Sequence, residues 1–139
     1  MNSVYITGGK SVERDRAFAL TVFALKELLP RYRTLNINIK IKKLDDAFGF
    51  CEWEETNLNP REFNIEIARG MSEEDFDKTL LHELVHVKQY AKGELKERYS
   101  PKHTQLWKGK DHGTTEYDDQ PWEKEAHKLE DKLYNKFYG

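Results

Sequence analysis

Two histidines and a glutamate stand within five residues in the run His82-Glu83-Leu84-Val85-His86. On a helix, side chains at positions i and i+4 lie on one face, so His82 and His86 can bind a single zinc ion. Glu83 would then lie beside a water held by that ion, where its carboxylate can accept a proton. These residue types at this spacing predict a hydrolytic zinc site. The alternative is a pair of histidines that pack inside a helix without a metal.

The surrounding sequence predicts the helix that this motif requires. Ser72 is a good N-cap, Asp75 stands where a capping box has its acid, and Glu73 and Glu74 favour the positive end of the helix dipole. Gly93 supplies a stop signal at the other end. Between them, apolar residues recur at helical spacing: Phe76, Leu80, Leu84, Val87 and Ala91. The motif is therefore expected inside a largely buried helix.

A hydrolytic zinc site also needs a third protein ligand and an open position for water. The metzincin pattern would place a glycine and a third histidine at positions 89 and 92, where this chain has Gln89 and Lys92, so that class is excluded. The remaining donors lie downstream and are His103, His112, Glu123, Glu125 and His127.

A final helix is predicted over residues 121–137, with Pro121 in its first turn. Its apolar stripe consists of Trp122, Ala126, Leu129, Leu133 and Phe137. Glu123 and Glu125 lie on opposite sides of that stripe, each roughly 80° from its centre, so helical periodicity does not choose between them. His127 lies further round the polar side.

The rest of the chain shows one helix and three strands that would support these two helices. Helical spacing predicts a helix over residues 11–29, and strict alternation predicts a strand over 35–44, with isoleucines on one face and lysines on the other. Further strands are predicted over 47–55 and around 63–67, joined as a hairpin through Asn57, Asn59 and Pro60. Residues 93–120 are expected to be irregular, which gives the order α, β, β, β, α, α.

The motif helix and the final helix together resemble the gluzincin branch of the zincin metallopeptidases, in which a downstream glutamate is the third ligand. In several such families that glutamate lies three residues before a small residue, as Glu123 does before Ala126, so the resemblance selects Glu123. With Trp107-x-Gly109 and Pro121-Trp122-Glu123, residues 35–137 are also similar to small SprT-like metallopeptidases, some of them phage-encoded. SprT-like proteins often use a third histidine and add a cysteine-rich zinc ribbon, which this chain lacks.

This resemblance implies an α+β fold in one zincin-like domain spanning residues 1–139: an N-terminal helix, a short twisted three-stranded sheet, the motif helix and a ligand-bearing C-terminal helix. It also implies that residues 48–54 form an edge strand along which an extended peptide substrate adds as a further strand.

The mechanism expected from the motif together with this resemblance has one zinc ion held by His82, His86 and Glu123, with Glu83 as general base in peptide hydrolysis. Tyr117, His112 and His103 are the candidates that would stabilise the oxyanion.

Composition limits the other possibilities. A chain of 139 residues fits one domain, and the single cysteine, Cys51, rules out an internal disulfide and is expected to be a buried strand residue. The start of the chain shows no secretion signal and no segment is apolar enough to span a membrane, so a cytoplasmic protein is expected.

Two other functions are compatible with these residues. One is a zinc-stabilised module that binds peptides without cleaving them; the presence of Glu83 beside the water position speaks against it. The other is a protease of DNA-associated proteins that binds nucleic acid through the basic segment 88–110, although the net charge of −2 argues against a general nucleic-acid-binding surface.

Overall fold

The computed structural model of the chain describes residues 1–53, 59–98, 103–113 and 115–139. The helices are α1 (Ser11–Leu28), α2 (Glu73–Ala91) and α3 (Pro121–Tyr138). The strands are β1 (Ser3–Gly8), β2 (Asn36–Lys42), β3 (Gly49–Trp53), β4 (Glu62–Ala68), β5 (Leu95–Arg98), β6 (Thr104–Trp107) and β7 (Lys110–Asp111). The expected α+β class is confirmed, and the three predicted helices are present.

Four strands form a mixed sheet in the order β1-β2-β4-β3. The neighbours β1, β2 and β4 run parallel, whereas β3 pairs antiparallel with β4 and has Cys51 opposite Ile65. The predicted hairpin of β3 and β4 is therefore confirmed, and β3 lies at an edge of the sheet. Residues 54–58, which include Asn57 and the predicted end of β3, lie outside the described part of the chain.

One face of this sheet carries the hydrophobic core. In β2 and β4 every second side chain is buried, which places Ile37, Ile39, Ile41, Phe63, Ile65 and Ile67 on the inner face. These residues belong to one core with Leu20 and Ala24 of α1 and Leu80 and Leu84 of α2. Helix α2 packs against β3 and β4 of the sheet and also against α3. Side chains of the sheet, of α2 and of α3 can therefore meet along α2.

The expected three-stranded sheet is wrong by one strand, because β1 was not predicted. Only Val4 and Ile6 alternate inward in this six-residue element, and both are only half-buried. Two apolar residues at an edge are too few to distinguish a strand from a coil by alternation. Pairing with β2 is what makes this segment a strand.

The expectation that residues 93–120 are irregular is also wrong, since β5, β6 and β7 form a second, antiparallel sheet. These strands have only four, four and two residues, so their alternation is too short to be read. Lys108 and Gly109 connect β6 to β7 with φ of 50° and 85°, the backbone that a two-residue type I′ hairpin turn requires. None of the described helices is both long and apolar enough to cross a membrane.

Candidate metal centre

Helix α2 carries the whole motif, and its ends are those that the sequence predicts. The Ser72 hydroxyl accepts a hydrogen bond from the backbone N–H of Asp75 at 3.2 Å, and Gly93 follows the helix with a φ of 72°. Within the helix, the rings of His82 and His86 lie on one face with centroids 4.9 Å apart. The spacing of the motif thus places both imidazoles toward α3.

Helix α3 places the carboxylate of Glu123 against both imidazoles. The Nε2 atom of His86 lies 2.7 Å from Glu123 Oε1, and the Nε2 atom of His82 lies 3.4 Å from Glu123 Oε2. The three candidate ligand atoms all lie within 4.8 Å of one another. All three side chains are nearly buried, with exposed fractions of 12%, 12% and 9% for His82, His86 and Glu123.

This donor set fits zinc. Two imidazole nitrogens and one carboxylate oxygen are a known set of protein ligands for a catalytic zinc ion, which keeps a fourth position for water. Ligand atoms about 2.0–2.1 Å from a tetrahedral zinc ion lie roughly 3.3 Å from each other. The 3.4 Å between His82 Nε2 and Glu123 Oε2 matches this value, whereas the 2.7 Å between His86 Nε2 and Glu123 Oε1 is a hydrogen-bond distance that would lengthen by about 0.6 Å around a zinc ion.

A second set of side chains orients the two histidines. His82 Nδ1 lies 2.8 Å from Glu130 Oε1, and His86 Nδ1 lies 2.7 Å from Gln89 Oε1. Gln89 is fully buried, and its amide nitrogen donates to the backbone oxygen of Trp122 at 2.9 Å, which turns its oxygen toward His86. Both acceptors take a hydrogen from Nδ1, which leaves Nε2 of each ring to bind a metal.

Glu125, the alternative third ligand, lies elsewhere. Its Oε1 atom is 2.8 Å from Lys88 Nζ and 3.1 Å from the amide nitrogen of Gln89. Burial alone would raise the pKa of Glu125, but the hydrogen bonds from Lys88 and Gln89 outweigh it and lower that pKa. The structure thus brings Glu123, and not Glu125, to His82 and His86.

The contacts among His82, His86 and Glu123 shift the pKa values of all three groups. Burial lowers the pKa of His82, but its hydrogen bonds to Glu123 and Glu130 outweigh burial and raise that pKa to about 10. For His86, the bond to Glu123 likewise outweighs burial and raises the pKa. The two histidines in turn hold the pKa of Glu123 well below its usual range, against the effect of burial. The nearly buried carboxylates of Glu123 and Glu130 thus have these histidines as their ion-pair partners. A divalent cation between the rings and Glu123 would supply the same positive charge.

Glu83 lines a cleft with two lobes that meet at Glu83 and His82. One lobe, of about 320 Å³, has Cys51, Tyr90, Leu95 and Trp122 among its walls; the other, of about 240 Å³, has Phe48, Thr79 and His127. Glu83 and His82 line both lobes. Glu83 is 7% exposed, and its burial raises the pKa of its carboxyl group, with the two histidines acting in the opposite direction.

Of the three residues predicted as oxyanion donors, Tyr117 is the one that lines the cleft. It borders both lobes, and burial together with nearby Glu123 raises its pKa to about 12. His112 instead packs its ring edge-on against Trp122, with centroids 5.7 Å apart. His103 is exposed and pairs with Glu97 at 3.2 Å.

Cys51 lies in β3, as predicted, but it is half-buried and borders the larger lobe. Burial raises the pKa of its thiol well above the ordinary value, with Glu83 contributing in the same direction. This keeps the side chain a neutral thiol.

Two lysines of the basic segment are engaged within the protein. Lys88 is 12% exposed and pairs with both Glu94 and Glu125 at 2.8 Å. The amino group of Lys108 lies 5.2 Å from the ring centre of Trp107. Lys102 lies outside the described residues.

Sequence reasoning missed Glu130, Gln89 and the place of His127, although the spacing carries a signal for each. Glu123, His127 and Glu130 are four and three residues apart on α3, and Gln89 is three residues after His86 on α2, so each set shares a helix face. The side chains of His82, His127 and Glu130 form a second group with metal-ligating atoms in reach. In this second group His82 contacts Glu130 through Nδ1. Nε2 of His82 therefore remains available to the group formed with His86 and Glu123.

Comparisons of the chain with family models, with curated proteins and with solved structures found no match. A function can therefore be argued only from the residues of the site and their geometry.

Proposed function

We propose that this protein is a zinc-dependent metallopeptidase of the gluzincin type. His82, His86 and Glu123 would hold one zinc ion, and Glu83 would act as general base. The observation that carries this proposal is the convergence of Nε2 of both motif histidines on the Glu123 carboxylate, beside a cleft that Glu83 lines. A hydrolytic zinc site consists of such a set: two imidazoles, a carboxylate from a later helix, and a second carboxylate beside the ligands that is not itself a ligand.

The bound zinc ion would lower the pKa of a water molecule and polarise the substrate carbonyl. Glu83 takes the proton of the attacking water and passes it to the departing amine. Its position favours this role, because a buried carboxyl group with a raised pKa exchanges a proton more readily near neutral pH than an exposed one.

The edge strand β3 supports a peptide as the substrate. Among the strands that the structure describes, β3 pairs with β4 alone, so its other side could receive an extended chain through backbone hydrogen bonds. Gly49 at its start lines both lobes of the cleft, and Phe50 and Cys51 line the larger one. The ring of Trp53 stacks on Tyr90 of α2 with centroids 3.9 Å apart, which fixes the end of this strand to the motif helix. A peptide along β3 would therefore cross the cleft beside Glu83.

Tyr117 is the residue that we assign to the oxyanion. Its ring borders both lobes, and its raised pKa keeps the hydroxyl protonated and able to donate a hydrogen bond. A donor held in place before the reaction stabilises charge that develops on the carbonyl oxygen.

The test combines zinc binding with peptide hydrolysis. Purified protein should bind one zinc ion and cleave fluorogenic peptides, and Glu83→Gln should keep the zinc yet lose about 100-fold or more in kcat. Lys92→Gln, at an exposed position beyond the end of α2, is the matched control and should leave both properties unchanged. Failure to bind zinc would overturn the proposal, and zinc binding without any hydrolysis would favour the peptide-binding module.

A further inference from the structure

We propose that His127 is a positioning residue that holds the Tyr117 hydroxyl at the metal centre, and that Glu130 ties this hold to the orientation of His82. This inference rests on the proposed peptidase function and adds to it a residue that neither the motif nor the ligand set contains. It is carried by a continuous chain of hydrogen bonds from Tyr117 to His82.

The chain of hydrogen bonds has three links. The Tyr117 hydroxyl lies 3.1 Å from His127 Nε2, and His127 Nδ1 lies 2.9 Å from Glu130 Oε1. That same oxygen of Glu130 lies 2.8 Å from Nδ1 of His82. One carboxylate oxygen therefore orients both a proposed zinc ligand and the ring that contacts the proposed oxyanion donor.

The chemistry of these groups sets the direction of each hydrogen bond. An ionised carboxylate only accepts, so His82 and His127 each donate their Nδ1 hydrogen to Glu130. With the Nδ1 hydrogen donated to Glu130, Nε2 of His127 offers a lone pair that can accept the hydrogen of the Tyr117 hydroxyl. His127 is thus the acceptor that holds the phenol when no oxyanion is present.

A phenol hydroxyl held in this way can change its partner without moving its ring. Rotation about the bond between the ring and the oxygen redirects the hydrogen from His127 toward the cleft, which Tyr117 lines together with His82 and Glu83. The Tyr117 side chain is about half exposed, so it would otherwise lose its fixed position to rotamer freedom. His127 supplies the missing restraint from α3.

The packing of His127 agrees with this role. Although 58% of its side chain is exposed, its ring lies 4.6 Å from the ring of His82 and borders the smaller lobe of the cleft. A histidine that served only solubility would not be expected to contact both Glu130 and Tyr117.

The experiment is a double-mutant cycle on the zinc-loaded full-length protein. His127→Leu should lower kcat about tenfold, the low end of the effect of a residue that orients a site, while KM and zinc affinity stay within about twofold. His127→Gln, whose amide oxygen can accept from the phenol, should recover most of kcat. In the Tyr117→Phe background His127→Leu should cause no further loss, because there is no hydroxyl left to position. His103→Leu, a histidine outside the cleft, is the matched control and should leave kcat unchanged.

Two results would overturn the inference. One is a loss of kcat from His127→Leu that is equally large with and without the Tyr117 hydroxyl. The other is a crystal structure of the zinc-loaded His127→Leu variant in which Tyr117 keeps its place. That structure decides the positioning role even if the wild-type protein cleaves no peptide, an outcome that would count against the peptidase function itself.

Discussion

Gln89 lies one helical turn beyond His86, and its side-chain oxygen is 2.7 Å from Nδ1 of that histidine. The amide nitrogen of Gln89 is engaged by Trp122 and Glu125 of α3, so the amide cannot turn over without losing both bonds. The contact between α2 and α3 thus selects the form of His86 in which Nε2 points at Glu123, where it could bind a metal. The packing of two helices and the chemistry of the site depend on the same buried side chain.

Replacing Gln89 with a side chain of similar size and no acceptor should weaken zinc binding. Gln89→Met removes the oxygen that holds His86, and the loss of such an orienting partner costs roughly tenfold to 100-fold in metal affinity. Competition with a chromophoric chelator measures this. Lys92→Met, at an exposed position just beyond the end of the same helix, is the control and should bind zinc as the wild-type protein does. Equal affinity in the Gln89 variant would show that His86 needs no orienting partner.

The two neighbouring acids of α3 should respond differently to the same substitution. Glu123→Gln replaces a proposed zinc ligand, so zinc affinity should fall by more than about 100-fold, beyond the loss caused by an orienting residue. Glu125→Gln should cost less than about tenfold, because Glu125 reaches the site only through Gln89. Zinc held at 100 times its Kd should stabilise the wild-type and Glu125→Gln proteins by about 2.7 kcal/mol, seen as a rise in Tm. A reversed order of the two variants would exchange the assignments of the two acids.

Gly49 should be required for peptide binding but not for zinc binding. A Cβ atom at this position would lie 2.9 Å from the Thr79 methyl group and 3.2 Å from the Glu66 backbone oxygen, so Gly49→Ala would push β3 away from α2. Such overpacking typically costs about 1–3 kcal/mol in the free energy of unfolding. Because the displaced strand would no longer align a peptide with the cleft, KM should also rise, with zinc affinity unchanged. Thr79→Ser removes the methyl group and should restore part of the loss. No recovery in the double variant would mean that the clash with Thr79 is not the cause.

The sequence predicts the part of the site that lies within one helix. The spacing of His82, Glu83 and His86 alone places them together, and Ser72 and Gly93 mark the ends of that helix. What the spacing leaves open is the rotation of α3 relative to α2. Glu123 and Glu125 are equivalent in the periodicity of α3, and only the packing of Trp122 and Ala126 into the core turns Glu123 inward.

The missed strands have a different cause. β1 becomes a strand by pairing with β2 more than 30 residues away, and among the described strands β5 to β7 pair with each other over two to four residues. These strands form through pairing between segments, which periodicity within one short segment does not register. The buried amide of Gln89 shows the same limit, because its partners Trp122 and Glu125 lie more than 30 residues away.

Asp77 should be a main determinant of stability outside the site. Its side chain is 1% exposed and its carboxylate binds Arg16 Nε at 2.8 Å, which joins α2 to α1. Arg16→Met would leave a buried charge without its cation, and removing one partner of such a pair costs roughly 3 kcal/mol in the free energy of unfolding. Urea denaturation measures this cost. Adding Asp77→Asn to Arg16→Met should recover part of it, since the uncompensated charge is then gone; an additive loss would contradict this account.

The second partner of Asp77, Tyr138, predicts how stability depends on pH. The Tyr138 hydroxyl of α3 donates to Asp77, and burial together with this hydrogen bond raises the pKa of Tyr138 to about 12 from its ordinary value of 10.0. Because the folded-state pKa is the higher one, the stabilisation is complete below about pH 10 and is lost as pH rises toward 12. Wild-type protein should therefore exceed Tyr138→Phe in free energy of unfolding at about pH 8, and the difference should shrink at about pH 11.5. A difference that stays constant across this range would show that the proton of the Tyr138 hydroxyl does not stabilise the contact between Tyr138 of α3 and Asp77 of α2.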